Sequence, residues 1–351
     1  MKKLNEKKWR PELIGELFAV GGSRTTSPQA LIPNGYTPRI TCASVQNGLD
    51  NCYQNMATEK GGVLTVDSAT VGTVFYQPYD FIATDHVEKI QAKVGIFNEC
   101  KGLFLQTIIT HSVGTKYQYG YKFSQKRIKQ QKVILPMNDN GKPDYGYMEE
   151  YIYNLRICLL EKYKSFANKQ LSALEYKEIP ALDDKEWGTF ILDDVFSISS
   201  GTRLETRNKK PGTRPFIGAA DNNNGVTGFV SNDNASFDRN VLGVNYNGNG
   251  MCIGFYHPYD CIFSDDVKRF HLKNYNDNKF VLLFFKMIIL QQKSKFGYLY
   301  KFNAERMSKQ RLLVPINSDG KPDYLYMEQY AKNMMLKKYQ QYLAFLETRE
   351  K

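Results

Sequence analysis

The 351-residue chain is long enough for two domains with cores of their own, and its apolar (42%) and charged (24%) contents are those of a soluble globular protein. A formal charge of +11 favours a polyanionic partner, nucleic acid or an anionic membrane surface, although plain basic proteins share it. Six cysteines (Cys42, Cys52, Cys100, Cys158, Cys252, Cys261) form no CxxC pair, and with only four histidines no metal site and no cofactor are expected. Buried thiols in a reducing cytoplasm are the simpler reading.

Taken in chain order, Met1 to Leu4 looks briefly like a signal peptide. Charged residues resume at Glu6 and no apolar stretch follows, so none is expected. Alternating or β-branched runs predict strands at 71–76 and 132–135, and an apolar run predicts a helix at 101–110. From Met148 the apolar residues Ile152, Leu155, Leu159, Tyr163 and Phe166 recur at spacings of three and four, with Asp144 placed to cap the helix they define. A polar stretch, 172–185, contains Pro180 and reads as a linker. Strands follow at 226–230 and 311–314. A hairpin is expected between 241–246 and 251–256, because Asn247-Gly248-Asn249-Gly250 accepts the positive φ of a primed turn. The greasy run 280–290 contains Lys286 and is too short to span a bilayer, which suits a buried helix at 280–291. A second long helix carries Met327, Ala331, Met334 or Met335, Tyr339, Tyr342 and Leu346, with Asp323 at its start. Each long helix should have about 23 to 25 residues and reach about 35 Å.

The two halves repeat. Residues 116–151 align without gaps on 295–330, with 18 of the 36 positions identical, centred on Gly141-Lys142-Pro143-Asp144-Tyr145 and Gly320-Lys321-Pro322-Asp323-Tyr324. Looser matches keep the same order: Trp9 and Trp187, Phe18 and Phe196, Gly22-Ser23-Arg24 and Gly201-Thr202-Arg203, Tyr76-Gln77-Pro78-Tyr79-Asp80 and Tyr256-His257-Pro258-Tyr259-Asp260. A tandem duplication follows. The fold class is mixed α+β, two pseudo-symmetric domains each followed by a long helix, with the helices packing antiparallel to bury their stripes. The expected boundaries are 1–147, 148–175, 176–326 and 327–351.

Two similar domains joined by stiff helices suit a ligand with two spaced sites, and a helix of this length is close to one turn of B-DNA. The loop from Gly201 to Arg214 carries Arg203, Arg207, Lys209 and Lys210 and can reach phosphates or guanine edges. Its counterpart offers Arg24 and Thr25. The amides of Asn47 and of Asn223 and Asn224 can pair with adenine, although such residues also make ordinary polar turns. Lys116, Tyr117, Tyr119 and Lys122 match Lys295, Tyr298 and Lys301, with Lys293 alongside. Lysines interleaved with aromatics fit phosphate contact, while core aromatics flanked by solvated lysines would look alike.

The openings Lys8-Trp9 and Glu186-Trp187, each followed by a Leu- or Phe-rich turn, and the paired Gly-Lys-Pro-Asp-Tyr-x-Tyr-Met-Glu segments carry a resemblance across the whole chain. The chain resembles the specificity subunits of type I restriction-modification systems, and the separate target-recognition subunits of type IIB systems. The resemblance implies two target-recognition domains, each reading one half of a split double-stranded DNA site. It implies long helices that set the gap and dock methyltransferase (modification) subunits, with a nuclease subunit as a further partner left open. Methyl transfer from S-adenosylmethionine and cleavage would belong to partners, so the chain itself would be no enzyme, cytoplasmic and free of membrane.

Catalytic readings find little in the residues. Tyr76-Gln77-Pro78-Tyr79 and Tyr256-His257-Pro258-Tyr259 lack the Asn or Asp that would hold a target amine. Pro143-Asp144 with Glu175-x-Lys177 puts the acid into a helix and has no partner copy. His86, His111, His257 and His271 share no pattern between the halves. A bivalent adaptor for protein or carbohydrate is the alternative function, and a stand-alone enzyme with an unrecognised site a third.

Overall fold

A computed structural model describes residues 2–248, 250–297 and 299–349. The chain divides into two compact units, Met1–Tyr163 and Lys164–Lys351. Both are built to one plan. In the first, β1 (Trp9–Leu13) pairs antiparallel with β9 (Lys132–Pro136), so the beginning and end of the repeat lie side by side. After the short α1 (Ile14–Leu17) come β2 (Phe18–Gly22), β3 (Thr37–Ile40), β4 (Leu49–Tyr53), β5 (Val63–Asp67), β6 (Val74–Gln77), β7 (Ile82–Ala83) and β8 (Val87–Ala92), then α2 (Glu99–Val113) and α3 (Gln125–Gln130). Four strands form a sheet in the order β2-β8-β5-β6. A smaller sheet runs β4-β3-β7, with β3 and β7 parallel.

Every residue of β5 is buried, because the strand is covered on both faces. Leu64, Val66 and Ile90 pack with Phe104, Leu105 and Ile109 of α2, while Val63 and Val87 cluster with Ile40 and Ala83 of the small sheet and with Phe81 just before β7. Apolar residues therefore stand on both faces of this strand, and its polar members Thr65 and Asp67 are buried with hydrogen-bond partners. The helix α4 (Tyr145–Ala173) follows.

The second unit repeats the order: β10 (Trp187–Ile191), α5 (Leu192–Val195), β11 (Phe196–Ser200), β12 (Pro211–Ile217), β13 (Val226–Val230), β14 (Val241–Asn245), β15 (Gly254–His257), β16 (Ile262–Phe263), β17 (Val267–Leu272), α6 (Lys279–Leu290), α7 (Ala304–Lys309), β18 (Arg311–Pro315) and α8 (Tyr324–Arg349). Its sheets run β10-β18, β11-β17-β14-β15 and β13-β12-β16, the same topology strand for strand.

The shared Gly-Lys-Pro-Asp-Tyr segments are helix starts. Asn138 Oδ1 accepts from the backbone N–H groups of Asn140 and Lys142, both at 3.0 Å, and Asn317 does the same for Asp319 and Lys321. Asp144 then caps α4 by accepting from Tyr147 N (3.0 Å), and its other oxygen meets Lys7 Nζ at 2.7 Å. The Lys7 contact, helped by the backbone N–H, holds this carboxyl below the usual carboxylate range. Lys7 also lies 4.7 Å above the Tyr147 ring, whose hydroxyl donates to Lys2 O. In the second unit Asp323 takes Tyr326 N (3.0 Å) and Lys185 Nζ (2.7 Å), Lys185 lies over Tyr326, and Tyr326 donates to Pro180 O. The capping role expected of both aspartates is what the structure contains.

Several details differ from the sequence reading. With Asp144 and Asp323 as caps, the helices begin at Tyr145 and Tyr324, before the 148 and 327 expected. They run 29 and 26 residues, about 43 and 39 Å. The strand expected from 71 begins at Val74, because 67–73 wraps the Asp67 carboxylate, which accepts from Ala69 N and Thr70 N. β14 and β15 do pair, but over a wide turn closed by Asn245 N to Ile253 O and Cys252 N to Asn245 O, not a two-residue Asn-Gly turn; Asn249 lies outside the described residues. The 172–185 stretch begins inside α4 and is tied to α8: Glu175 O accepts from Gln329, and both backbone groups of Lys177 bond Asn333. Within the second unit the last turns of α4 run antiparallel to α8, with Phe166 edge-on to Tyr339 at 6.1 Å. Of the α4 stripe, Met148 and Ile152 join the domain core, while Leu155, Leu159 and Phe166 are about half exposed. The thiols are not uniformly buried: Cys252 and Cys261 are, with burial pushing each up to about 12, but Cys158 is exposed. Among the described residues, no helix is long and apolar enough to cross a membrane.

Removing the Asp144 carboxylate strands Lys7, whose side chain is 9% exposed, and uncaps α4. Asp144→Ala should therefore destabilise the protein by about 2 kcal/mol or more, whereas Asp144→Asn, which keeps a capping oxygen, should lose less. Urea unfolding of both variants measures the difference; equal losses would refute the cap.

Candidate nucleic-acid interface

The cationic loop of the second unit is held by one asparagine. Asn232 Oδ1 accepts from Lys210 N (2.7 Å), its Nδ2 donates to Asn208 O (3.0 Å), and Ser231 N donates to Lys210 O (2.9 Å). The first unit has the same clamp. Asn55 Oδ1 accepts from Ile32 N (2.9 Å), its Nδ2 donates to Ala30 O (2.8 Å), and Gln54 N donates to Ile32 O (2.8 Å). Each loop then crosses the strand behind it at a glycine. A Cβ at Gly35 would sit 2.0 Å from the carbonyl carbon of Tyr53, and one at Gly212 would sit 2.3 Å from Ser231 N, so no other residue fits.

The clamp fixes a residue-by-residue correspondence: Gln29 with Arg207, Leu31 with Lys209, Ile32 with Lys210. It also corrects the sequence alignment by one place. Ser23 N and Gly201 N make the equivalent bonds, to Val87 O and Val267 O, so Ser23 matches Gly201. Thr26 N and Thr202 N make the next pair, to Ala83 O and Phe263 O, so Arg24 and Thr25 lie in a stretch without a counterpart in the second unit. Sequence reasoning missed Asn55 and Asn232. A signal existed, since Gly35 to Asn55 and Gly212 to Asn232 are both twenty residues.

The structure brings Arg207, Lys209 and Lys210 together on the clamped loop. Lys210 is exposed, Lys209 lies 4.2 Å over the Phe216 ring, and Arg207 pairs with Glu205 at 2.7 Å. Arg214, at the loop's end, donates to Asn232 O and lies 3.6 Å from Asp233. Arg203 stands apart, 3.9 Å from Asp265. The side chains of Arg203 and Arg207 are 76% and 80% exposed, and exposed pairs of this kind contribute about 0–1 kcal/mol, so a phosphate can displace the acid. In the first unit Arg24 and Thr25 are exposed, with the Arg24 backbone N–H on Glu59 and Thr25 bridged to Ala83.

Asn47, Asn223 and Asn224 all have left-handed backbones (φ 58°, 47° and 54°) in matched turns. The Asn47 amide donates inward to Tyr76 O and Gln77 Oε1, and that of Asn224 to the Tyr259 hydroxyl, while Asn223 is exposed.

The Lys–aromatic segments form two small hairpins, bridged Gln118–Tyr121 and Gly297–Tyr300. Tyr117 stacks on Tyr121, which carries the Arg127 guanidinium 3.8 Å from its centre; Phe296, Tyr300 and Arg306 (3.9 Å) repeat the stack. Tyr117 is buried with its hydroxyl on Gln131, so its surface role is withdrawn: it is core beneath the hairpin. Tyr119 is 82% exposed, with Lys122 Nζ 5.7 Å from its ring. Lys116, Lys293 and Lys295 are exposed, Lys301 is half-buried, and Tyr298 lies outside the described residues.

Behind each loop sits an ion pair: Glu59 with Lys89, and Asp238 with Arg269 (3.0 Å). The second unit adds His271, bonded through Nδ1 to Asp277 (2.6 Å) and through Nε2 to Asp238 (3.1 Å); the two carboxylates push it up to about 9. Its folded value lies above the ordinary 6.5, so this stabilisation is full below about 6.5 and fades as pH rises through about 9. His271→Gln, the residue that stands at position 91, should flatten the fall in melting temperature between pH 6.5 and 9.5. An unchanged fall would refute the assignment.

Asn232→Ala should speed amide exchange across 206–214 several-fold and leave the core strands β14 and β17 protected, because the clamp orders the loop alone. Unaltered exchange in the loop would show that the clamp is redundant.

A model of the family described as "Type I restriction modification DNA specificity domain" matches residues 6–163 and again 184–343. The chain is 41% identical over 332 residues to a protein of Heyndrickxia coagulans described as "Type II restriction enzyme BgcI specificity subunit S.BcgI", covering 93% of this chain and 94% of that one. Its fold is similar to the crystal structure of the type I restriction-modification S subunit from M. genitalium, with a TM-score of 0.51, 14% identity, and coverage of 99% of this chain and 94% of the other.

Proposed function

Since the chain belongs to the family of type I restriction modification DNA specificity domains, of which it carries two, we propose that it gives sequence specificity to a restriction-modification complex by reading a bipartite duplex DNA target, one half per domain. The observation that carries this reading is the clamped loop built twice on one frame with different exposed side chains. Such a frame presents two distinct contact surfaces from one fold. Arg207 and Lys210 contact phosphates. Arg203, Asn223 and the hairpin residues Lys116, Tyr119, Lys122, Lys293, Lys295 and Lys301 form the further contact set. The long helices α4 and α8 dock methyltransferase subunits and fix the unread gap, with domains at 1–147 and 176–326 and the helices serving as spacers. Methyl transfer and cleavage belong to the partner subunits, and the chain supplies the address.

Selection from a randomised duplex library should return two short sequences separated by a fixed gap. Arg207→Ala and Lys210→Ala should each weaken binding to all sequences and reduce the salt slope of log K by roughly one. Binding that ignored salt, or a single undivided motif, would overturn the reading. The purified chain should transfer no methyl group to DNA unless a modification subunit is added.

A further inference from the structure

The two clamped loops share a frame but not a chemistry. In the second unit the residues from Gly201 to Arg214 include five cations: Arg203, Arg207, Lys209, Lys210 and Arg214. In the first unit the corresponding stretch, Ser23 to Thr37, includes only Arg24 as a cation, and the positions matched to Lys209 and Lys210 are Leu31 and Ile32. What the first loop exposes instead is apolar. Ile32 is 51% exposed, Tyr36 98%, and Met56, on the strand-side segment that clamps the loop, 90%.

These side chains are not on a loose tip. The backbone around them is fastened by Asn55 at Ala30 and Ile32, by Gln54 at Ile32, and by the Gly35 crossing, which leaves no room even for a methyl group. Asn34, in the left-handed region (φ 62°), turns the chain into that crossing, and its carbonyl accepts from Gln54 Nε2. An apolar set held rigidly in water gains nothing for the fold, since burial is what rewards hydrocarbon. A large aromatic whose position is already fixed loses little entropy when a partner covers it.

Building on the DNA reading above, we propose that Tyr36 and Met56 are specificity-determining residues that contact bases directly, through thymine methyl groups or an unstacked base step, so that the first domain reads by apolar contact what the second holds by charge. The partner follows from the frame: the matched loop carries the cations that complement a polyanion, and the apolar loop occupies the same place in its own domain. Base edges offer hydrocarbon at the thymine C5-methyl, and base steps accept apolar wedges; phosphates offer neither. The two domains therefore differ in what they contribute. The second supplies most of the counterion release and the first supplies salt-insensitive discrimination.

The test uses the full-length chain, a randomised duplex library and salt titration. Tyr36→Ala with Met56→Ala should erase or degrade one half of the selected motif. It should lower affinity for the wild-type motif about tenfold and leave both the salt slope and the other half-motif unchanged. Arg207→Ala with Lys210→Ala should do the reverse, cutting the slope and keeping both half-motifs. Both residues are almost fully exposed, so an unchanged melting temperature will show that the double variant is folded. With 2-aminopurine in the affected half-site, a fluorescence rise on binding the wild type but not the variant assigns an unstacked step, and no rise assigns groove contact. An unaltered motif in the Tyr36/Met56 variant, or a loss of salt slope equal to that of the cationic variant, would overturn the proposal while leaving DNA binding intact. A wild-type chain that bound no duplex would overturn the DNA reading and the proposal together.

Discussion

One carboxylate at the foot of each long helix ties three pieces of chain together. Asp144 closes the first turn of α4 with one oxygen and neutralises the nearly buried Lys7 with the other, while Lys7 lies on the Tyr147 ring of the same turn. Because β1 and β9 pair, Lys7 and Asp144 come from opposite ends of the repeat and meet only when the domain is folded. The helix direction is thereby fixed to the domain that precedes it. Asp323, Lys185 and Tyr326 repeat the arrangement. An uncapped helix loses about 1 kcal/mol, but a helix whose cap also compensates a buried charge loses more.

This knot explains why 18 of 36 positions agree between the halves near Pro-Asp-Tyr and few agree elsewhere. Asn138 shapes the turn, Asp144 caps, Tyr147 receives the lysine, and Met148 enters the core; each has a partner that must match it. The two caps and the Met148 and Met327 stripes were legible in the sequence because they are local and duplicated, whereas the lysines that meet the caps lie 137 and 138 residues away and were not. The two domains, the long helices and the strands β9, β13 and β18 followed from periodicity and repeat. The clamps were not legible, because their partners are bonded backbone to side chain across 22 to 25 residues and leave only an Asn at a fixed distance from a Gly. Tyr117 misled for the opposite reason. Interleaved Lys and Tyr look the same whether the ring faces solvent or the core, and only the fold separates Tyr117 from Tyr119. Residue identity alone also misplaced the loop register, matching Gly22 to Gly201 where the backbone bonds match Ser23 to it.

The buried polar residues behind the loops show how far two copies can diverge without altering the frame. Gln77 in β6 bonds Thr65 and the Asn47 carbonyl, whereas its counterpart His257 fills space above Gly243, where a Cβ would sit 3.1 Å from the imidazole. Burial drives that imidazole down to about 4, so it is a neutral packing residue that reaches the turn through the Tyr259 hydroxyl. Both solutions hold a left-handed Asn at the same place, by a direct bond to Gln77 in one case and through the Tyr259 hydroxyl in the other.

The loops carry this separation furthest. The frame residues Gly35, Asn55, Gly212 and Asn232 interact with backbone, so they place no demand on which side chains stand at 29, 31 and 32 or at 207, 209 and 210. Substitutions at exposed positions away from caps and cores usually change stability by less than about 0.5 kcal/mol. The contact chemistry of each loop can therefore change from Lys and Arg to Leu and Ile without loosening the fold. The Asp–Lys–Tyr knot has no such freedom, since every member is another member's partner. A chain with a fixed hinge between domain and helix and freely variable loops can change what each domain contacts while keeping how that contact is presented.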